Sequence, residues 1–354
     1  MKISAVILSA CLTLSACAAE RRITGIQEAS GIARAGDELL IVGDEEAGVY
    51  YRFPIPRELP DSTARSGAAG PRGFRIPLHP ENLKRITWNQ GAVAIDQESI
   101  GVLADGRVVI LSERLRALWG ADGVIAEYPG ALAETGGRGL EGLAIRRDPL
   151  GGSRVAVLWE GGYPSFRGLP AALRNAAGRS AMNPVIVTHR IESGERGITV
   201  TEGPDVVRIE LHVPHPASGD EPVAQRFRAP DFTWYRFPDT PGEEWGFLVL
   251  LSSSYSMAPP PGSIEECPEQ DLETGEPLRF CFKWLQRFDS SGMAWGEPLD
   301  LTRVLPGDIC DANWEGIDWY YGKRGASERA VVLTYERTAA DLSEAYVLIL
   351  PAGW

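Results

Sequence analysis

Short β-branched and apolar runs broken by Gly, Pro, Asp and Asn, a unit that recurs along the chain, and a near absence of long amphipathic helix patterns predict an all-β protein. Radially repeated four-stranded sheets satisfy these observations as a single β-propeller with long loop insertions. Five blades can be counted, and a sixth would need a weaker unit hidden among residues 54 to 95 or 161 to 230. The competing architecture is a β-sandwich or two stacked β domains. The length of 354 residues would allow two domains, but all-β chains often run long as one.

Each unit opens on an acidic residue followed by a small and an apolar one, turns, and enters an apolar strand that ends on an acidic or polar residue. Glu28-Ala29-Ser30-Gly31-Ile32 leads through Gly36-Asp37 to Leu39-Leu40-Ile41-Val42 and Asp44-Glu45. Glu98-Ser99-Ile100 leads through Asp105-Gly106 to Val108-Val109-Ile110-Leu111 and Glu113. Glu141-Gly142-Leu143 leads through Gly151-Gly152 to Val155-Ala156-Val157-Leu158 and Glu160. Glu315-Gly316-Ile317 leads to Ala330-Val331-Val332-Leu333 and Glu336, and a degenerate copy runs from Asp231-Phe232-Thr233 to Phe247-Leu248-Val249-Leu250-Leu251. Asp-Gly and Gly-Gly turns tolerate the positive φ of tight hairpins, so each unit reads as two adjoining antiparallel strands. Further strands are expected at 49–53, 185–190, 206–213, 282–288 and 346–350, and one short helix at 171–181. The last unit shows three strands, which leaves residues 22 to 26 to supply a fourth and close the ring.

The N-terminus carries Lys2, an apolar or small stretch from Ile3 to Leu14, and Leu14-Ser15-Ala16-Cys17. This resembles a lipobox, which implies a signal over residues 1–16 and a lipid on Cys17. An ordinary secretory signal and an uncleaved anchor are the alternatives, although a run of about a dozen apolar residues is short for a span of about twenty. The domain reading is therefore signal 1–16, tether with closing strand 17–27, and propeller 28–354. Ala18 after Cys17 resembles the pattern of lipoproteins sent to the outer membrane, so a periplasm-facing, lipid-anchored location is expected. Loss of residues 1–16 removes one lysine and moves the formal charge from −13 to −14. That acidity argues against nucleic acid, whose phosphates need basic patches.

In an oxidising compartment Cys267, Cys281 and Cys310 remain after Cys11 and Cys17 are accounted for. A Cys267–Cys281 disulfide would staple the polar loop 268–280, and Cys281 with Cys310 is the alternative. Three dispersed cysteines without a CxxC spacing are a poor metal site.

Glu141-Gly142-Leu143-Ala144, Asn313-Trp314-Glu315-Gly316-Ile317 and Asp96-Gln97-Glu98-Ser99-Ile100, each with its downstream strand, resemble the "esterase-like activity of phytase" and SdiA-regulated propeller families. The resemblance spans most of the mature chain and implies an exported propeller. Long inserts at 54–85, 161–183 and 255–280 depart from it.

The first strand of a propeller blade lines the central channel, so Glu28, Glu98, Glu141 and Glu315, with Asp231, are expected at one mouth. Carboxylates held close raise one another's pKa unless a cation neutralises them, and calcium accepts such oxygen donors in flexible geometry. The same acids could instead accept backbone N–H bonds between blades as architectural clasps. A second series, Glu45, Glu113, Glu160 and Glu336, ends the apolar strands, with Arg114 and Arg337 following two of its members and Arg138 preceding the third unit. These arginines could bind a small anionic ligand such as a phosphate ester, with guanidinium giving paired donors, or form surface ion pairs. An envelope protein is the other partner class.

The chain has no Gly-x-Ser-x-Gly elbow, P-loop, EF-hand loop or His-Glu-x-x-His helix. His79, His189, His212 and His215 are its four histidines, and no histidine or cysteine dyad is legible. A hydrolase on this chain is therefore expected to be a metal-dependent phosphoesterase or esterase-like enzyme, and the catalytic residues are not assigned. Trp234, Tyr235, Trp245, Trp314, Trp319, Tyr320, Tyr321 and Tyr335 could line a ligand face or wedge between blades.

Overall fold

The structure is a computed structural model that describes residues 25–26, 28–43, 46–55, 72–87, 96–128, 139–160, 183–194, 197–211, 227–237, 244–255, 269–270, 277–278, 280–302, 304–305, 312–320, 329–337, 342–351 and 354. At 72, 253–255, 269–270, 277–278, 280–282, 336–337 and 342 only the backbone is described. The expected helix at 171–181 lies outside these residues.

The chain forms a five-bladed β-propeller, each blade a four-stranded antiparallel sheet. Strands β1 (Ala29–Ala35), β2 (Glu38–Gly43) and β3 (Val49–Pro54) begin the first blade. The chain then crosses to the last blade as β4 (Arg72–Ile76) and returns through a 3-10 turn at Pro80–Asn82 to β5 (Lys84–Thr87), which completes the first. The second blade is β6 (Gln97–Val102), β7 (Val108–Ser112), β8 (Ala117–Gly120) and β9 (Gly123–Glu127). The third is β10 (Leu140–Arg147), β11 (Ser153–Trp159), β12 (Val185–Gly194) and β13 (Gly197–Arg208). The fourth is β14 (Phe232–Arg236) and β15 (Trp245–Tyr255), then, past a small hairpin β16 (Glu269–Gln270) and β17 (Pro277–Leu278), β18 (Phe280–Phe288) and β19 (Leu299–Asp300). Strands β20 (Asn313–Trp319), β21 (Ala330–Arg337) and β22 (Leu342–Ile349) make the fifth, with β4 as its outer edge.

Ring closure therefore differs from the expectation that residues 22 to 26 supply the fourth strand. Arg72–Ile76 holds that place, pairing with Ala345 to Ile349. Residues 22–24 lie outside the described residues, and Ile26 contributes one bond, its carbonyl accepting from Ser343 N at 2.9 Å. The sequence 54–95 thus holds strands of two blades, and 161–230 holds the outer strands of the third.

The continuous apolar runs have a direct cause. The second strand of each blade is covered on both faces, so neither face can be polar. In β11, Val155, Val157 and Trp159 pack toward the second blade while Ala156 and Leu158 pack toward the fourth. In β2, Leu39 and Ile41 meet the fifth blade while Leu40 and Val42 meet the second. The core is accordingly a set of wedges between neighbouring blades, not one central mass. At about 25 cal/mol per Å² of apolar surface, these wedges supply the main force closing the ring.

Polar clasps sit between the wedges. Gln97, fully buried, accepts from Gly48 N at 2.9 Å and donates to the carbonyls of Glu46 at 2.9 Å, Val49 at 3.2 Å and Gly43 at 3.3 Å, joining the second blade to the first. Ser343 Oγ accepts from Ala29 N at 2.8 Å between the fifth and first blades, and Ser153 Oγ accepts from Ala104 N at 2.8 Å between the third and second. Replacing Gln97 by leucine preserves volume but leaves its backbone partners unmet. A loss of about 2–4 kcal/mol is expected, read as a lower urea midpoint with an unchanged m-value.

Candidate functional site at the channel mouth

Four of the five inner strands carry a β-bulge near their start. The register skips Ser30 in β1, Glu98 in β6, Glu141 in β10 and Glu315 in β20. A bulged residue has no cross-strand partner and its side chain is re-aimed, which is why bulges recur at sites. The repeated glutamates are therefore equivalent in three blades, while the first blade holds Ser30 at that place and Glu28 two residues earlier. Glu28 matches Asp96, and both adopt positive φ, 46° and 68°.

The end of the second strand provides the next equivalence. Glu113 N bonds Asp96 O at 3.1 Å, Glu160 N bonds Gly139 O at 3.0 Å, and Ser252 N bonds Arg228 O at 2.9 Å. At one height of the mouth the second blade thus carries two acids, the third a glycine and an acid, and the fourth a cation and a hydroxyl.

Arg228 organises three of the carboxylates. Its Nε donates to Glu160 Oε2 at 3.0 Å, Nη1 lies 3.6 Å from Glu315 Oε1, and Nη2 lies 3.9 Å from Glu141 Oε1. Glu160 is wholly buried, Glu141 and Glu315 nearly so, and the arginine side chain is 36% exposed. The charge of Glu315, followed by those of Glu160 and Glu141, holds the guanidinium firmly protonated against the effect of burial. Burial, then the charges of Glu160 and Glu98, pushes the Glu141 carboxyl well above the usual range, and Arg228 only partly offsets this.

Beside this cluster, Asp96, Glu98 and Glu113 each bring one carboxylate oxygen within 4.8 Å of the others, all half-buried. Gly139 makes the approach feasible, because a Cβ there would fall 1.6 Å from Glu113 Oε1. An all-oxygen set with this spacing suits a hard cation such as calcium.

Asp231 lies elsewhere. It is fully buried between blades, where Oδ2 accepts from Ile317 N at 2.8 Å and the backbone N–H groups of Phe232 and Leu143 also point to it. Burial still raises its pKa well above the ordinary value. Asp318 is a second such clasp in the next blade, accepting from Arg34 N at 2.7 Å and Thr233 Oγ1 at 3.2 Å. The clasp and the mouth are thus two uses of acids in the same strands.

Of the other sequence-derived candidates, Glu28 takes part in no ion pair and no metal-spaced group among the described residues. Glu98 joins Asp96 and Glu113, whereas Glu141 and Glu315 face Arg228. Arg114 is exposed on the turn after β7. Arg337 ends β21, paired by its backbone with Leu342, and its side chain is not described. Arg138, Glu45, Cys17, Cys267 and Cys310 lie outside the described residues, as does the side chain of Cys281, so the disulfide and lipid expectations do too.

Trp314, Tyr335 and Tyr235 are buried between the fourth and fifth blades. Trp234 Nε1 bonds Ala144 O at 3.2 Å and Trp319 Nε1 bonds Trp234 O at 2.6 Å, so these aromatics wedge and staple the blades.

Sequence reasoning missed Arg228. The legible signal was its place three residues before Asp231 in the degenerate unit, where the second blade has Asp96.

No protein-family model matches the chain, and no curated protein matches it. Among solved structures it is similar to a gluconolactonase from Xanthomonas campestris, with 12% identity over 93% of this chain and 88% of that one and a TM-score of 0.33. A β-fructofuranosidase catalytic domain from Microbacterium saccharophilum has 8% identity, covering 93% of this chain and 61% of that one, at a TM-score of 0.38. A luciferin-regenerating enzyme has 9% identity over 94% and 95%, at a TM-score of 0.32. At these values the likenesses carry no argument about activity.

Two outcomes follow from the charges. Glu141 and Asp231 hold protons more tightly folded than unfolded, so their contribution to stability is complete below the unfolded carboxylate pKa and declines as pH rises through the folded values. In chelator, the melting temperature should fall between about pH 5 and pH 8, and Glu141→Gln should flatten that slope. Replacing Arg228 by leucine should lower stability at pH 7 by about 2–3 kcal/mol, below the range for a fully buried pair because the side chain is partly solvated. Denaturant titration should show a smaller loss at pH 5, where the raised pKa of Glu141 keeps its carboxyl more fully protonated.

Proposed function

We propose that this protein is a lipid-anchored envelope propeller that binds a small anionic ligand, of the phosphate-ester class, through a calcium ion at the channel mouth. The observation that carries this reading is a cluster of carboxylates: among the described residues Asp96, Glu98 and Glu113 bring oxygens within 4.8 Å of one another beside Glu141, which with Glu160 and Glu315 shares Arg228. Such a cluster takes up either protons or a cation. Asp96, Glu98 and Glu113, with oxygens at that spacing, would be the cation ligands. The exposed third of Arg228 and the exposed Arg114 would face the anion, together with Arg138 and Arg337 from neighbouring units.

As a phosphoesterase, the site would draw on the ion for polarisation of the phosphoryl oxygen and for an activated water. The chain's own role would be to orient the ester at Arg228 and to exchange a proton at the Glu141 carboxyl. The second reading is a non-catalytic binder of a ligand or envelope protein. It is favoured by Arg228, which draws Glu160, Glu315 and Glu141 together as an ion-pair cluster.

Calorimetry on the detergent-solubilised full chain tests the cation. Calcium should bind with release of protons at pH 6, and Glu98→Gln or Glu113→Gln should weaken it at least roughly tenfold, the loss of one charged ligand. No calcium heat from the folded wild type would remove the proposal. Hydrolysis of a phosphate-ester panel with and without chelator then separates enzyme from binder.

A further inference from the structure

The fourth blade contains a second chemical group that the cation reading does not use. Ser252 is paired with Arg228 on one side and with Lys283 on the other. Directly opposed residues of antiparallel strands project to the same face, so guanidinium, hydroxyl and amine stand in one row. Ser252 also occupies the register position that Glu113 and Glu160 hold in the second and third blades. Its hydroxyl therefore belongs to the same mouth. Lys283 Nζ donates to Ser252 Oγ.

The surroundings of Lys283 are unusual for a structural lysine. Its residue is 3% exposed, and Ser252 is 8% exposed. Among the described residues its amine has no carboxylate partner, while Arg228 in the same row has three. Among the described residues the Ser252 hydroxyl is the amine's one hydrogen-bond partner, and a single serine oxygen satisfies one of three donors. Methionine would fill the volume without that penalty.

We propose that Ser252 is a nucleophile for acyl transfer from a carboxylic ester, with Lys283 as its base. A serine hydroxyl is weakly nucleophilic until an adjacent base takes its proton, and lysine in a desolvated site is one such base. In the first step the Oγ–H bond breaks, its proton passes to the unprotonated Nζ, and Oγ bonds the ester carbonyl carbon. The carbonyl oxygen becomes an oxyanion facing the exposed part of Arg228. Collapse of that adduct breaks the bond from carbonyl carbon to alkoxy oxygen, and the proton on Nζ goes to the leaving alcohol. Water then attacks the acyl-serine, giving its proton to Nζ. Collapse of this second adduct expels Oγ, which takes that proton back, and releases the acid. No metal or redox partner enters these steps.

The test is covalent labelling of the detergent-solubilised full chain with an alkyl fluorophosphonate, followed by intact mass and peptide mapping. One adduct is expected, on Ser252. Ser252→Ala should abolish it. Lys283→Met, which removes the buried amine at similar volume, should slow it by roughly a hundredfold, the lower range for a positioned base, while leaving the melting temperature unchanged or higher. Labelling of Ser252 that persists in chelator supports this proposal whether or not calcium binds. Failure of the folded wild type to label at Ser252, or an equal labelling rate in Lys283→Met, overturns it without bearing on the calcium site.

Discussion

A ring of sheets holds together only if each sheet buries both faces, and that demand on the second strand of every blade governs the rest of this structure. It calls for uninterrupted apolar runs such as Leu39 to Val42 and Val155 to Trp159, each packed against two neighbours. It also places the inner strands side by side around an axis, β1 between β6 and β20 and β10 between β6 and β14. Their polar ends then have nowhere to go but the channel mouth or the seams between blades. Which of the two a given acid takes decides whether it is architecture or chemistry.

The seams take acids that can be surrounded by backbone N–H groups. Asp231 and Asp318 are of this kind, short side chains each reaching across to the next blade. The mouth takes the longer glutamates that a bulge has re-aimed. Glu98, Glu141 and Glu315 share this geometry, and Glu113 and Glu160 reach the same region from the second strands. Crowding them raises the free energy of the ionised state, and the fold answers with the Arg228 guanidinium from the fourth blade, whose inner strand has no glutamate. Blade symmetry and charge balance are thus coupled. The fourth unit is degenerate as a repeat because it supplies the counter-charge.

The same departure from symmetry sets the fourth blade apart chemically. At the place where the second and third blades have Glu113 and Glu160 it has Ser252, and the third strand brings Lys283 against it. A ring of near-identical units presents near-identical groups, so specific chemistry is concentrated where one unit differs.

The sequence by itself determined the repeat, the propeller, and most of the strands, because burial on two faces writes itself as apolar runs and tight turns write themselves as Asp-Gly and Gly-Gly. It also marked Glu98, Glu113, Glu141, Glu160 and Glu315 as recurrent acids. What only the tertiary structure decided was how those acids divide. A one-residue bulge changes which residue faces the axis, so that Ser30, not Glu28, matches Glu98, and no spacing rule in a single chain records it. The closing strand Arg72–Ile76 was equally hidden, since its partner β22 lies at the far end of the chain. Arg228 and Lys283 were illegible for a related reason: each is an ordinary basic residue in sequence, and becomes chemical only when other strands bring carboxylates to the one and a serine hydroxyl to the other.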